Sequence, residues 1–251
     1  MKKSHIITFC AIAMTTAMLP AHADFTPAFT VNGGSYNDGQ PWAVSLGAGY
    51  GLLYGDSVSG DVATSDLSAT THYYIASDNI RFRNGWISSL AIMRSVIRHV
   101  SIGLGYAYFA TGISPGTAVY SAVATAYGGY EGDLGVHTLL AQAKFTWNPI
   151  FITLGVGGAY VKAYDQQPSN TSGTLISMRD HGVYNLAYAG AAGLIYHINS
   201  AWTLDSGVQY TYYGSFNSGT IAGDHGSTLK SAVTAKLYSI APFINATYHF
   251  A

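Results

Sequence analysis

Trp42 to Tyr54 reads WAVSLGAGYGLLY, and every second residue is apolar: Trp42, Val44, Leu46, Ala48, Tyr50, Leu52, Tyr54. Between them stand Ala43, Ser45, Gly47, Gly49 and Gly51. Period two over this length predicts a β-strand longer than most soluble ones. The second face of a soluble strand carries charge; this one carries glycine, serine and alanine.

The pattern returns along the chain. Val100, Ile102, Leu104, Tyr106 and Tyr108 alternate with small residues, as do Ile152, Leu154, Val156, Gly158 and Tyr160. Leu139, Ala141, Ala143, Phe145 and Trp147 alternate with Leu140, Gln142, Lys144 and Thr146. Tyr184, Leu186, Tyr188, Ala192, Leu194 and Tyr196 form another set, with Asn185 on the opposite side. Trp202, Leu204, Val208, Tyr210 and Tyr212 alternate with Thr203, Asp205, Gly207, Gln209 and Thr211. The last strand places Ile240, Pro242, Ile244, Ala246, Tyr248 and Phe250 on one face. Trp86 to Val96 predicts one more strand, but Trp86, Leu90 and Ile92 compete with Ile87, Ala91 and Met93 for the apolar side. Its orientation is left open.

These are eight strands, and the gaps between them alternate. Gly55 to Asn84, Thr111 to Asp133, Tyr164 to His181 and Phe216 to Lys236 are long; Ile97 to His99, Asn148-Pro149 and Asn199-Ser200 are short. Alternating short turns and long loops along antiparallel strands is the layout of an outer-membrane barrel. The expected fold is therefore all-β: a single eight-stranded antiparallel up-and-down transmembrane β-barrel over residues 41–250. An even strand count puts both termini on the periplasmic side.

The aromatics follow the same plan. Trp42, Trp147, Trp202 and Tyr196 fall at the short-turn ends; Tyr54, Tyr108, Tyr160, Tyr184 and Tyr212 fall near the long-loop ends. Rings with a polar tip favour the two interfaces of a bilayer. The lipid-facing sets named above hold no charge, whereas Lys or Arg at the midplane costs about 2–4 kcal/mol. Arg94 and Arg98 are expected at the first periplasmic turn, and most acidic residues fall in the long loops. Pro242 lacks an N–H and is expected near the outer end of its strand, where one ladder bond is least costly to lose.

Composition sharpens this picture. Only 9% of the residues are charged while 49% are apolar, against about a quarter charged in ordinary soluble domains. After the leader, no stretch of 18 apolar residues offers a spanning helix. Lys2 and Lys3, the apolar run Ile6 to Leu19, and Ala21-His22-Ala23 read as a secretory signal peptide over residues 1–23. Residues 24–40 then form a periplasmic N-terminal segment, loop-like in its NGGSYNDG stretch. The single cysteine, Cys10, lies in the leader, so the mature chain has no thiol chemistry. Losing Lys2 and Lys3 leaves nine basic residues against 12 acidic ones, with no basic cluster. Nucleic acid is therefore not an expected partner.

With its leader, eight alternating strands and closing strand bearing Tyr248 and Phe250, the chain resembles the small outer-membrane β-barrels of Gram-negative bacteria. The OmpA transmembrane domain, OmpX and the opacity-type surface proteins belong to that class. The resemblance implies that Phe250, Tyr248, Ala246 and Ile244 are the signal read by the barrel-assembly machinery, after delivery by periplasmic chaperones. Ala251 departs from the pattern, whose last residue is usually the aromatic. The resemblance also implies outer-membrane lipids and lipopolysaccharide as neighbours, and admits a host surface ligand for the loops.

The expected lumen is narrow and lined by small residues with a few polar groups: Gln142, Lys144, Asn185, Asp205 and Gln209. Small residues leave room for a narrow wet channel, the OmpW-like alternative for small or hydrophobic solutes. Lys144 lies three residues before Trp147 and Asp205 three after Trp202. That symmetry predicts an internal ion pair near the periplasmic end. Catalysis has a poor footing. His197 and Ser200 in YHINSAW faintly suggest a lipid A-modifying hydrolase, but Asn199-Ser200 is better read as a turn. Asp180-His181 and Asp224-His225 are read as solvated loop residues rather than a metal site, and His137 as an interface residue. The expectation is a non-enzymatic barrel without cofactor. Its flexible Ser-, Thr-, Gly- and Asp-rich loops serve adhesion or envelope integrity.

Overall fold

A computed structural model describes residues 41–59, 61–66, 69–74, 81–114, 118–120, 127–128, 130–168, 179–219 and 232–250. The leader, the segment 24–40, Asp224-His225 and Ala251 lie outside the described residues.

Eight long strands are present: β1 (Trp42–Ser59), β2 (Gly85–Ile97), β3 (Val100–Ser114), β4 (Tyr130–Trp147), β5 (Ile150–Pro168), β6 (His181–His197), β7 (Trp202–Asn217) and β8 (Thr234–Phe250). Each pairs antiparallel with the next, and β8 pairs back with β1 to close the ring. Closure leaves no barrel edge unpaired, which lipid would not tolerate.

The register fixes the shape. Partners followed around the ring from Trp42 pass through Arg94, Ile102, Ala143, Leu154, Gly190, Tyr210 and Ile240. They return to β1 at Leu52, ten residues further along than Trp42. Such a stagger tilts the strands by about 40°.

The short turns are built from their sequences. Asn199 Oδ1 accepts hydrogen bonds from the Ala201 and Trp202 amides, both at 2.9 Å. This Asx turn links β6 to β7 and leaves Ser200 exposed. The long-loop ends carry more order than composition suggests. Asp61–Asp66, Ala69–Tyr74, Ala118–Tyr120 and Tyr127–Gly128 form a separate small sheet, pairing segments of the first two long loops. The flexible coil expected there is therefore replaced, over these segments, by backbone pairing.

Outside the barrel, apolar side chains stand open around the ring: Leu46 is 64% exposed, Leu104 53%, Leu154 55% and Leu186 71%. A continuous apolar band of this kind belongs in lipid. Two aromatic girdles bound it. On one side Trp202 packs on Tyr248 at 4.9 Å, and Tyr248 on Phe250 at 6.1 Å. On the other, Tyr188, Tyr212, Tyr238 and Tyr54 are direct cross-strand partners, as are Tyr108, His137, Tyr160 and Tyr184. His137 takes part through its Nδ1, 2.8 Å from the Tyr106 hydroxyl, as an interface residue should. From Trp42 to Tyr54, twelve tilted residues span about 30 Å, the scale of a bilayer core.

Two expectations are corrected. Pro242 is mid-strand, not near an end: it pairs with Val208 on β7. Toward β1 the register steps from Gly49–Phe243 to Leu52–Ile240 without a pair at Pro242. The missing N–H is absorbed at the closing seam because the pairs on either side hold it. Close approach also explains Gly49, where a Cβ would meet the Pro242 carbonyl oxygen at 2.9 Å. Second, β2 turns Ile87 and Met93 into the lumen and Trp86, Leu90 and Ile92 outward. Alternation then carries Arg94 outward as well, level with Trp42 and off the turn. Among the described residues, one charge therefore stands on the outer wall between the girdles. At the girdle its cost falls to about 0–1 kcal/mol.

Candidate functional site

The lumen has two halves with different chemistry. Toward the short turns it is polar. The Lys144 ammonium donates to Asp205 Oδ2 at 2.6 Å, and the Thr247 hydroxyl donates to the same oxygen at 3.3 Å. Side-chain exposure is 18% for Lys144 and 4% for Asp205. Lys144 also sits 4.7 Å from the Phe151 ring centre. Ser45 and Thr247 share a hydrogen bond at 2.8 Å, and Thr203 meets His249 Nε2 at 3.1 Å nearer the turns. The internal ion pair expected from spacing is thus formed. The register explains it: Lys144 and Asp205 lie on strands three apart, and the stagger of the ring brings them level.

Above the pair is a cavity of about 80 Å³, lined by polar Ser89, Gln142, Gln209 and Asn245 together with apolar Met93, Leu140 and Phe243. That is room for about two or three water molecules. Asp205 Oδ1 and Asn245 Oδ1 are buried there with no hydrogen bond within the protein. Gly47 makes space for Asn245, whose amide occupies the place a Cβ would take. Gln209 donates to Thr211 at 2.8 Å.

Toward the long loops the lumen is filled with apolar side chains. Phe109, Ile113, Leu134, Val136, Phe216 and Leu237 are each at most 1% exposed, and Leu53, Leu140, Val161 and Tyr213 join them. Phe109 packs against Tyr213 at 6.0 Å, and Phe216 against Phe82 at 6.1 Å. Tyr213, the one buried phenol among the described residues here, is satisfied by Ser239 at 2.8 Å. A bulge at Gly214, with φ of 84°, turns Tyr213 inward. Asn185 braces that bulge: its amide donates to the Ser215 carbonyl at 2.8 Å, and its oxygen accepts the Ser215 amide at 3.1 Å.

Of the predicted lumen residues, Gln142, Lys144, Asp205 and Gln209 come together in the polar half, while Asn185 stands apart in the apolar half. The apolar filling was not expected. Its members sit at interior positions beyond the tyrosine girdle, several in stretches read as loop or loop edge. The signal was present in Leu134, Val136, Thr138 and Leu140, a period-two run between the assigned loop, which ends at Asp133, and the set that starts at Leu139. The lumen expected to be lined by small residues is so lined only in part. The architecture is that of a small outer-membrane barrel.

No family model and no curated protein matches the chain. Among solved structures it resembles OprG from Pseudomonas aeruginosa, with 15% identity and a TM-score of 0.46, over 84% of this chain and 97% of that one. Ail of Yersinia pestis, the attachment invasion locus protein, has 11% identity and a TM-score of 0.39, over 84% and 99%. The outer membrane protein AlkL has 16% identity and a TM-score of 0.39, over 86% and 92%. At such identities the likeness concerns fold alone.

The remaining candidates are placed as follows. Ser200 belongs to the Asx turn, while His197 is half-buried on the lumen side of β6. Asp180 pairs with Lys162 at 2.7 Å on the exposed surface. Phe250, Tyr248, Ala246 and Ile244 share the outward face of β8. Phe250→Ala is expected to slow barrel assembly several-fold in cells while leaving the folded barrel stable. Pulse-chase with heat-modifiable electrophoretic mobility measures this, and wild-type kinetics would show that the ending has been misread.

Proposed function

We propose that this protein is a non-enzymatic outer-membrane barrel that does not conduct, displays its long loops at the cell surface, and supports envelope integrity or adhesion. The observation that carries the reading is the apolar plug of Phe109, Ile113, Leu134, Val136, Phe216 and Leu237 across the lumen. An ion crossing it would shed its water among side chains that offer no replacement. In this reading the short turns and both termini are periplasmic, and the small sheet of loop segments faces outward. Outer-membrane lipids and lipopolysaccharide are its neighbours, and a host surface ligand is a fitting partner for the loops.

Planar-bilayer recording of the refolded protein tests this. The expected trace has no stepwise openings. Reproducible openings would favour the alternative, a narrow channel for small or hydrophobic solutes, for which the polar half of the lumen is the supporting feature. A changed lipid A mass on expression would instead support a lipid-modifying enzyme.

A further inference from the structure

On the outer wall, β4 presents Ala141 and Ala143 where its neighbours present larger groups. Ile92, Ile102 and Leu104 rise on one side and Leu154 and Val156 on the other, leaving a groove of about 760 Å³. Its lining is almost wholly apolar save at one end, where Arg94 stands exposed beside Trp42, 5.4 Å from the indole ring centre. Among the described residues Arg94 has no carboxylate within ion-pair distance. We propose that this groove is a binding site for one phospholipid, with an acyl chain lying over Ala141 and Ala143 and the phosphate held by Arg94.

The geometry suits such a ligand. Arg94 is level with Trp42 in the girdle, the depth at which a phosphate sits when its chains enter the core. The guanidinium offers a fork of donors matched to two phosphate oxygens. The groove runs inward from Arg94 toward mid-membrane, as an acyl chain does. A second copy of this chain fits less well, because among the described residues its outer wall carries no acidic residue between the two aromatic girdles. The inference rests on the membrane placement under Proposed function and, in that orientation, assigns the site to the periplasmic leaflet.

Native mass spectrometry tests it, on full-length mature protein released from nanodiscs of phosphatidylethanolamine and phosphatidylglycerol. Wild type is expected to retain one phospholipid. Arg94→Gln and, independently, Ala143→Phe, which fills the groove, are each expected to lower that occupancy at least tenfold. Heat-modifiable mobility confirms that each variant is folded, and Ser88→Phe, outside the groove, is expected to retain lipid as wild type does. Equal retention by wild type and both groove variants would overturn the proposal. So would a lipid-free dimer that Ala143→Phe dissociates. Conductance is recorded separately: openings alongside lipid retention would remove the reading of a closed barrel and leave the groove standing.

Discussion

Asp205→Ala is expected to be the most destabilising single change in the polar half of the lumen, by about 2–4 kcal/mol, because it strands a mostly buried ammonium. Lys144 is mostly buried, its side chain 18% exposed; it lies over Phe151 and points at Asp205 Oδ2 from 2.6 Å. The same change deprives the Thr247 hydroxyl of its acceptor. Lys144→Met is expected to cost a similar amount, since it leaves an ionised carboxylate that is 4% exposed. The pair together is another matter. Lys144→Met with Asp205→Leu removes both charges and fills their space, so it is expected to recover most of either single loss. Urea unfolding in lipid vesicles, followed by tryptophan fluorescence, measures all three. Additive single and double effects would show that the two residues act independently, as separate charges at the barrel mouth. This ordering also separates a specificity device from a stabiliser. If the double variant keeps wild-type stability but folds to more than one species, the pair serves to set register near the short turns; a single species at wild-type stability would show that it does not.

How much was legible beforehand depends on which side of the wall a residue faces. The lipid side was clear because no physical demand competes there: a face in hydrocarbon is apolar, so Leu46, Leu104 and Leu154 declare it by alternation alone. The pair Lys144–Asp205 was legible because turn distance converts directly into height in a barrel. β2 was ambiguous for a physical reason. Ile87 and Met93 are apolar on the lumen side, so both of its faces read as greasy, and the outward position of Arg94 followed only once the register was known. The plug was missed for the same cause. Beyond the tyrosine girdle the outside of the barrel is wet and the inside is packed, which inverts the polarity of the alternation. Ile113 and Phe216 then fall in stretches read as loop, and Leu134 at the edge of one. Pro242 was misplaced because sequence cannot show that pairs on both sides of a seam carry a missing bond.

That inversion makes the plug the decisive test of function. Phe109→Ala is expected to cost about 3–5 kcal/mol, the usual range for emptying a buried phenylalanine site. Phe109 is 1% exposed and packs on Tyr213 inside a ring of hydrogen-bonded strands. The ring cannot collapse far, because the backbone ladder fixes its diameter, so relaxation will fill little of the cavity. Phe216→Ala should behave alike, being 1% exposed against Phe82. Combined as Phe109→Ser and Phe216→Ser, the two changes replace the widest side chains of the plug with hydroxyls that hold water. The polar cavity below and the loop end above would then be joined by a wettable path. Stepwise conductance in planar bilayers is expected from this double variant and not from wild type, with Leu46→Ala on the lipid face as a control that stays silent. The ion pair sits in the path that remains, so adding Asp205→Ala should shift the variant's selectivity toward anions, leaving Lys144 as the charge an ion meets. If instead wild type already conducts and the serine variant conducts no better, the route does not run through these residues and the barrel is a channel by some other path. If neither conducts while both fold, the backbone ring itself is too narrow for ions, and the closed state belongs to the strand count and stagger rather than to the side chains that fill it.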